Sequence, residues 1–331
     1  MQLLDRTEPV TSFLQRHAVK LISSAALLAA SAFVVHTRTR RAERENPPRG
    51  KFIEVDAVSL HYVDYGEGPP LVLFHGNGSM IEEMQLSGVP ERAAQRYRVI
   101  VFDRPGFGHS ERPAGRNWSA REQAALFYRA MRALGVERAV VVGHSWGTFV
   151  ALWLALDYPQ AVRSLVLLSG YYFPTVRLDV PLLSAPALPV LGDLMRHTIS
   201  PLIGRMLYHP ILWRVFGPAR VPRRFIRFPV WMSLRPAQLK AAARETARMI
   251  PTALALRRRY SDLRVPVLIM AGQQDLLVMQ HFHSTRLHRM LPGSELRLAG
   301  GAGHMVHHTV PDEVVAAIAR AFEMSDRNMG C

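Results

Sequence analysis

An α/β fold, with a mainly parallel sheet covered by helices on both faces, is the class this sequence predicts. Three observations carry it. Apolar runs of strand length alternate with stretches of helical spacing from residue 69 to 170, and again from 265 to 324. The runs are continuous, as in strands buried on both faces. Between them, residues 171–260 hold many prolines and no strand pattern, so this block reads as an inserted, mostly helical cap.

The first element is an apolar helix. Residues 21–35, LISSAALLAASAFVV, carry no charge, and extending back to Ala18 adds only Lys20, whose amine can reach an interface. That length is the low edge of the ~17–25 residues a spanning helix needs. Arg16 and Lys20 precede the run; Arg38, Arg40, Arg41 and Arg44 follow it. The reading is an uncleaved single-pass membrane anchor, with the basic, proline-containing residues 38–50 as a linker. The denser arginines after the run place the main body on the cytoplasmic side. Two alternatives compete. Ala30-Ser31-Ala32 has the small-x-small form of a signal cleavage site, which would export the chain. The long polar stretch before the run and the basic cluster after it oppose export. The other alternative is a buried helix of the soluble body.

The body follows in order. Residues 51–66, KFIEVDAVSLHYVDYG, alternate like two antiparallel strands around a turn at Asp56-Ala57. PPLVLFHG (69–76) and YRVIVFDRPG (97–106) are buried strands ending in turns. Residues 119–135 have helical spacing, with Ser119 as cap and Gly135 as stop. A strand at 138–145, a helix at 147–159 and a strand at 162–170 come next. After the cap lie a strand at 265–272, a helical stretch at 279–290, a strand at 294–300 and a last helix from Pro311 to about Met324. The chain thus divides into an anchor and linker (1–50), a body (51–325) interrupted by the cap (171–260), and a tail (326–331).

Composition narrows the partners. Of 331 residues, 49% are hydrophobic and 20% charged, a globular balance. The net charge is +15, and the cap holds fifteen Arg and Lys against three acids, so most of the excess sits there. RVPRRFIRF (220–228) interleaves arginine with Phe, Ile and Val. Such a surface is either simply solvated or rests on anionic lipid. No motif of a nucleic-acid reading module is present. The single cysteine, Cys331, forms no intrachain disulfide. No Cys/His cluster has zinc-ligand spacing, and His281, His283, His288, His307 and His308 read as solvated helix and loop residues.

The chemistry centres on Gly143-His144-Ser145-Trp146-Gly147, which fits G-x-S-x-G between an apolar strand and a helix. At such a bend the serine oxygen is exposed above the sheet edge, and the helix aims its positive end at it. A serine hydroxyl needs a base to take its proton. Asp275, just past a strand end, and His304, in a glycine-rich loop after the last strand, follow in the order Ser, Asp, His. Both fall where the carboxyl ends of parallel strands gather. The competing reading makes Asp275 a helix cap and His304 a loop histidine. One oxyanion donor is expected from the N–H of Trp146, the other from Asn77, with Gly78 second.

Together HGNGSM (75–80), DRPGFGHS (103–110), GHSWGT (143–148), GQQD (272–275) and GAGHM (301–305) resemble the α/β-hydrolase family over about residues 51–325. The resemblance implies an eight-stranded, mostly parallel sheet, a cap inserted after the sixth strand, and the triad Ser145, Asp275 and His304. It makes Asp103 and Arg104 turn and packing groups. Asn77 and Trp146 are similar to the halide pair of haloalkane dehalogenases, which attack with a carboxylate at the elbow. Ser145 stands there instead, so the alkyl-enzyme ester of that chemistry cannot form.

The expectation is a serine hydrolase that cleaves a small-molecule carboxylic ester with an apolar part, using no metal or organic cofactor. Trp146, Tyr171, Tyr172 and Phe173, with Trp213 and Trp231, are expected to line its pocket. Membrane lipid is expected to meet residues 18–35, with the basic cap as a second candidate contact. C–C bond hydrolases, aminopeptidases and acyltransferases share the triad, although three acids among fifteen bases in the cap argue against holding a substrate amine. A non-catalytic binding protein on the same fold is the alternative from another class.

Overall fold

A computed structural model describes residues 8–329, with side chains from 17 to 327; Cys331 lies outside the described residues. The strands are β1 (Lys51–Val55), β2 (Val58–Tyr65), β3 (Pro70–Phe74), β4 (Arg98–Phe102), β5 (Ala139–His144), β6 (Val162–Leu168), β7 (Val267–Gly272) and β8 (Glu295–Ala299). They form one sheet in the order β1-β2-β4-β3-β5-β6-β7-β8. β2 pairs antiparallel with β1 and β4, and every other neighbouring pair is parallel. Asp56 and Ala57 both take positive φ, the geometry of a tight two-residue hairpin turn.

Alternate residues of the central strands serve opposite faces. Val72, Phe74, Ile100, Phe102 and Val141 share a core with α4 (Ala120–Ala133) and α5 (Gly147–Asp157). Leu71, Leu73, Val99, Val101 and Val140 share a core with α2 (Ile81–Ser87), α3 (Val89–Ala93), α13 (Val306–Thr309) and α14 (Pro311–Met329). Ser119 caps α4 by accepting from the Glu122 N–H at 3.2 Å. The last helix runs beyond Met324 into the expected tail. Met324 and Ser325 are buried, and Asp326 pairs with Arg163, so the final turns still have a core and an ion pair to hold. The helix expected at 279–290 is α12 (Ser284–Met290), its first residues forming a turn instead.

Between β6 and β7 lie α6 (Asp179–Ser184), α7 (Leu191–His197), α8 (Ile199–Met206), α9 (Tyr208–Phe216), α10 (Val230–Ser233) and the long α11 (Pro236–Arg257). The insertion is helical, as its lack of strand pattern predicts.

The N-terminal helix, α1 (Glu8–Glu45), departs from expectation. Most of the stretch read as a linker is helix. Arg41 pairs with Glu45 at 2.7 Å, one turn on, and the Asn46 side chain closes the end on the Ala42 carbonyl at 2.8 Å. This end is docked: Ala42 is buried with Met80, Phe216, Phe225, Phe228, Met232 and Met305, where α1, cap and body meet. Glu43 reaches Arg235. The apolar stretch before it is exposed, with mean hydropathy 2.0 over its most apolar window. Phe225 and Phe228 therefore serve a core, and of the apolar side chains in RVPRRFIRF only Ile226 is well exposed.

Candidate active site

Ser145 closes β5 with φ +52°, a conformation that costs a non-glycine residue of order 1–3 kcal/mol and that the surroundings must hold. Its N–H donates to the Leu168 carbonyl at 2.9 Å, and its carbonyl accepts from the Thr148 N–H in the first turn of α5. The two flanking glycines are demanded by close approach. A Cβ on Gly143 would come within 2.7 Å of the Gly147 carbonyl oxygen, and one on Gly147 within 2.4 Å of the Phe74 carbonyl oxygen.

The structure brings Ser145, His304 and Asp275 into one hydrogen-bonded chain. The Ser145 hydroxyl donates to His304 Nε2 at 2.9 Å, and His304 Nδ1–H donates to Asp275 Oδ2 at 2.8 Å. The other carboxylate oxygen, Oδ1, accepts from the Leu277 and Val278 N–H groups, each at 2.8 Å. Asp275 thus both caps its turn and orients the imidazole. His304 and Asp275 are buried, while Ser145 is part-exposed.

The loop after β3 lies against the serine: a Cβ on Gly76 would stand 3.2 Å from Ser145 Cβ. Asn77 and Gly78 follow, and Gly78 turns with φ +70°. Trp146 is the N-cap of α5, where the helix leaves its first N–H groups without internal partners. The Asn77 side chain turns away to α11, its Nδ2 donating to the Ala242 carbonyl at 3.1 Å and to Thr246 Oγ1 at 3.0 Å. The Trp146 indole N–H also goes to α11, donating to the Glu245 carbonyl at 3.3 Å. Both side chains resembling a halide pair are committed to the cap.

Sequence reasoning missed what holds this loop. Arg104 is wholly buried, its guanidinium 4.7 Å from the ring centres of both Trp146 and Phe107. It donates to the carbonyls of His75 and Gly76, each at 2.9 Å, and to Glu245 of α11 at 2.6 Å. Gln123 Nε2 donates to the same Glu245 oxygen. One acid in an otherwise basic helix was the available signal. Asp103 fits the expected turn role, accepting from the N–H groups of Ile81 and His109 and from His61 Nδ1. Burial and the Arg104 charge push His75 down to about 3, which keeps it neutral.

The expected aromatic wall is mostly packing. Tyr172 and Phe173 have no exposed surface. Their N–H groups donate to His283 Nδ1, and Tyr260 donates to the Tyr172 carbonyl, which draws the segment into the core. Trp146 and Tyr171 are nearly as buried, Trp213 is 72% exposed on α9, and Trp231 lies against Arg38 of α1.

Three histidines expected in solvent are buried. His283 takes those two backbone donors. His307 and His308 both donate through Nε2 to Glu83 Oε1, at 2.5 and 2.7 Å, and Ser79 donates to Glu83 Oε2. Burial alone would raise the Glu83 carboxyl, but His307 and His308 hold it well below the usual range. His144 packs against His307 with tilted rings and donates to the His304 carbonyl at 3.2 Å, and burial keeps it neutral. Glu83, His144 and His307 offer ligand atoms within 4.8 Å of one another, a spacing that suits a metal ion. Both Glu83 oxygens are already taken by protein donors, so the group stands as a hydrogen-bonded network beneath the His304 loop.

Comparison with known proteins adds a family. Residues 69–311 match the model described as alpha/beta hydrolase fold. The chain is 26% identical over 285 residues to "Haloalkane dehalogenase 2" of Mycobacterium tuberculosis (strain ATCC 25618 / H37Rv), covering 83% of this chain and 96% of that one. It is 36% identical over 135 residues to "2-hydroxymuconate semialdehyde hydrolase" of Pseudomonas putida, covering 40% and 48%. Among solved structures, a membrane phospholipase A superposes with TM-score 0.63 at 22% identity, covering 96% of this chain and 99% of that chain.

Proposed function

The chain belongs to the α/β-hydrolase fold family, and on that premise we propose that it is a membrane-anchored serine hydrolase cleaving a carboxylic ester. The observation that carries this reading is the Ser145–His304–Asp275 hydrogen-bonded chain. Ser145 attacks the carbonyl carbon as His304 takes its proton, and Asp275 stabilises the imidazolium. The oxyanion is received by the N–H groups of Trp146 and Asn77. His304 then protonates the leaving alcohol. Water, deprotonated by His304, releases the acid and restores the serine.

The nucleophile separates this chain from its dehalogenase relative. Displacement of halide by a serine oxygen would leave an alkyl ether, which carries no carbonyl for water to attack. Acyl chemistry returns the enzyme. The likeness to 2-hydroxymuconate semialdehyde hydrolase keeps C–C bond hydrolysis on the same triad as the second reading. For the anchor, α1 supplies length and exposed apolar surface.

A fluorophosphonate probe should label the wild type and not Ser145→Ala; equal labelling would end the nucleophile assignment. Asp275→Asn should lower kcat by ~10⁴ while the protein stays folded. A panel of p-nitrophenyl esters of graded chain length, with monoacylglycerols and a vinylogous dione, separates the two reactions. Turnover of the dione alone would favour the second.

A further inference from the structure

Half of the exposed large hydrophobic side chains among the described residues, fourteen of twenty-eight, lie between Val176 and Trp213. Leu178 is 89% exposed and Val190 83%, and Leu182, Leu191 and Met206 stand out beside them. A contiguous apolar surface on this scale marks an interaction site. Charge is scarce within it. From 178 to 204 the only arginine is Arg196, which is buried and paired with Asp193. Residues 205–227, which overlap the field's C-terminal end, carry six arginines and no acid. An apolar field with a basic border is the pattern of a surface that enters a bilayer and holds anionic headgroups at its rim.

Two contacts say what covers this face. α7 and α8 pack against α1, so the field is continuous with the helix that carries the apolar span. At its other end Arg177 donates to the Leu277 carbonyl at 3.1 Å, two residues past Asp275, where Leu276, Met279 and Phe282 are also exposed. Apolar surface thus runs from the anchor, across the cap, to the rim of the serine site.

We propose that the face of α6–α9 is inserted in the leaflet entered by α1, and that the site draws its substrate, a long-chain acyl ester, directly from the lipid phase. The substrate half rests on the esterase reading above; the docking half does not. The test uses the full chain in phosphatidylcholine vesicles with about a third phosphatidylglycerol. Nitroxide labels are placed at Leu182→Cys, Val190→Cys and Met206→Cys in a Cys331→Ser background. Glu137→Cys is the control, on a side chain 84% exposed beside the N-terminal end of β5. The cap labels should collide more with oxygen than with a nickel chelate, and the control the reverse. Cap labels as open to the chelate as the control overturn docking. Protection from both reagents with dipolar broadening between labelled copies assigns the face to a second copy of this chain, and also overturns it.

For the substrate, Leu182→Glu/Val190→Glu should slow hydrolysis of a vesicle-embedded long-chain ester about tenfold or more, leaving p-nitrophenyl acetate unchanged. Equal loss on both esters, or none on either, overturns delivery from lipid. A wild type that cleaves neither ester sinks the esterase reading and with it the substrate half, while the labels still decide docking.

Discussion

Arg104 holds the serine site from below. Its guanidinium has aromatic rings on either side, two loop carbonyls as acceptors and Glu245 as counter-ion, all out of water. Removing one member of a buried pair strands the other charge. Arg104→Met should therefore cost about 3–5 kcal/mol, read by chemical denaturation in detergent. Arg104→Met/Glu245→Met should recover only part of that loss, because the nearly buried Arg112, 3.7 Å from Glu245, then loses its own counter-ion. Both variants should lose about a hundredfold in kcat, since the loop bearing Asn77 is released; a double variant with full turnover would remove Arg104 from the site's support. The buried histidines set a pH dependence. Burial pushes His75 down to about 3 and His283 to about 4, whereas in the unfolded chain each takes a proton near 6.5. Between those values the unfolded state binds more protons, so stability falls as pH drops from about 6.5, by up to about 1.4 kcal/mol per unit for each. Tm at constant salt should decline steadily from pH 6.5 to 4; a flat profile would contradict it. At this scale the sequence is uneven evidence. Ser145 and Asp275 each follow a strand that its own apolar run reveals, and His304 follows the alternating strand β8, so their meeting could be foreseen. Arg104 and Glu245 are 141 positions apart, and Glu83 pairs with His307 across 224. No local pattern encodes those partners.

At the scale of elements, α11 is the part of the cap fastened to the site. Asn77 and Glu245 tie it to the loop after β3 and to Arg104, and Gln238 accepts from the Gly108 N–H and donates to the Ser79 carbonyl. α6 and α7 have few buried residues and much exposed apolar surface. Native-state hydrogen exchange should find α11 amides protected at least about a hundredfold more than those of α6 and α7. Similar rates would mean that the cap opens as one body. The strands were legible as apolar runs bounded by turns. The end of α1 was not, because arginine and proline look like a linker until Ala42 finds its seat among Phe216, Phe225 and Met305. Likewise, the arginine-rich run around Phe225 gave no sign that its rings close a core.

Across the whole molecule, the apolar stretch of α1 and its docked end separate two jobs. Deleting residues 1–37 should remove the apolar stretch of α1 while keeping the turn that seats Ala42. Such a protein should turn over p-nitrophenyl acetate within about threefold of the full chain, because no group in the triad or beneath it is lost. Its sedimentation with anionic vesicles should weaken, and about 0.5 M salt should remove the share due to the cap arginines while the apolar face of α6–α9 keeps a salt-resistant remainder. Complete loss in salt would leave α1 as the whole attachment. The apolar N-terminal helix, the sheet-bearing body and the inserted helical cap were readable from charge and periodicity. The docking of all three on one another was not, since it depends on residues brought together only by the fold.

The segment between β6 and β7 is an insertion, and an insertion looks like a part that could be exchanged whole. Here the long cap helix carries the counter-ion for a cation lying under Ser145. A graft that omits Glu245 would deliver a new pocket onto a destabilised foundation. A recombination boundary drawn by sequence position alone, between β6 and β7, would cut through that foundation. Chimeras should instead treat Arg104, Gln123 and Glu245 as one inherited unit, moved together or left together.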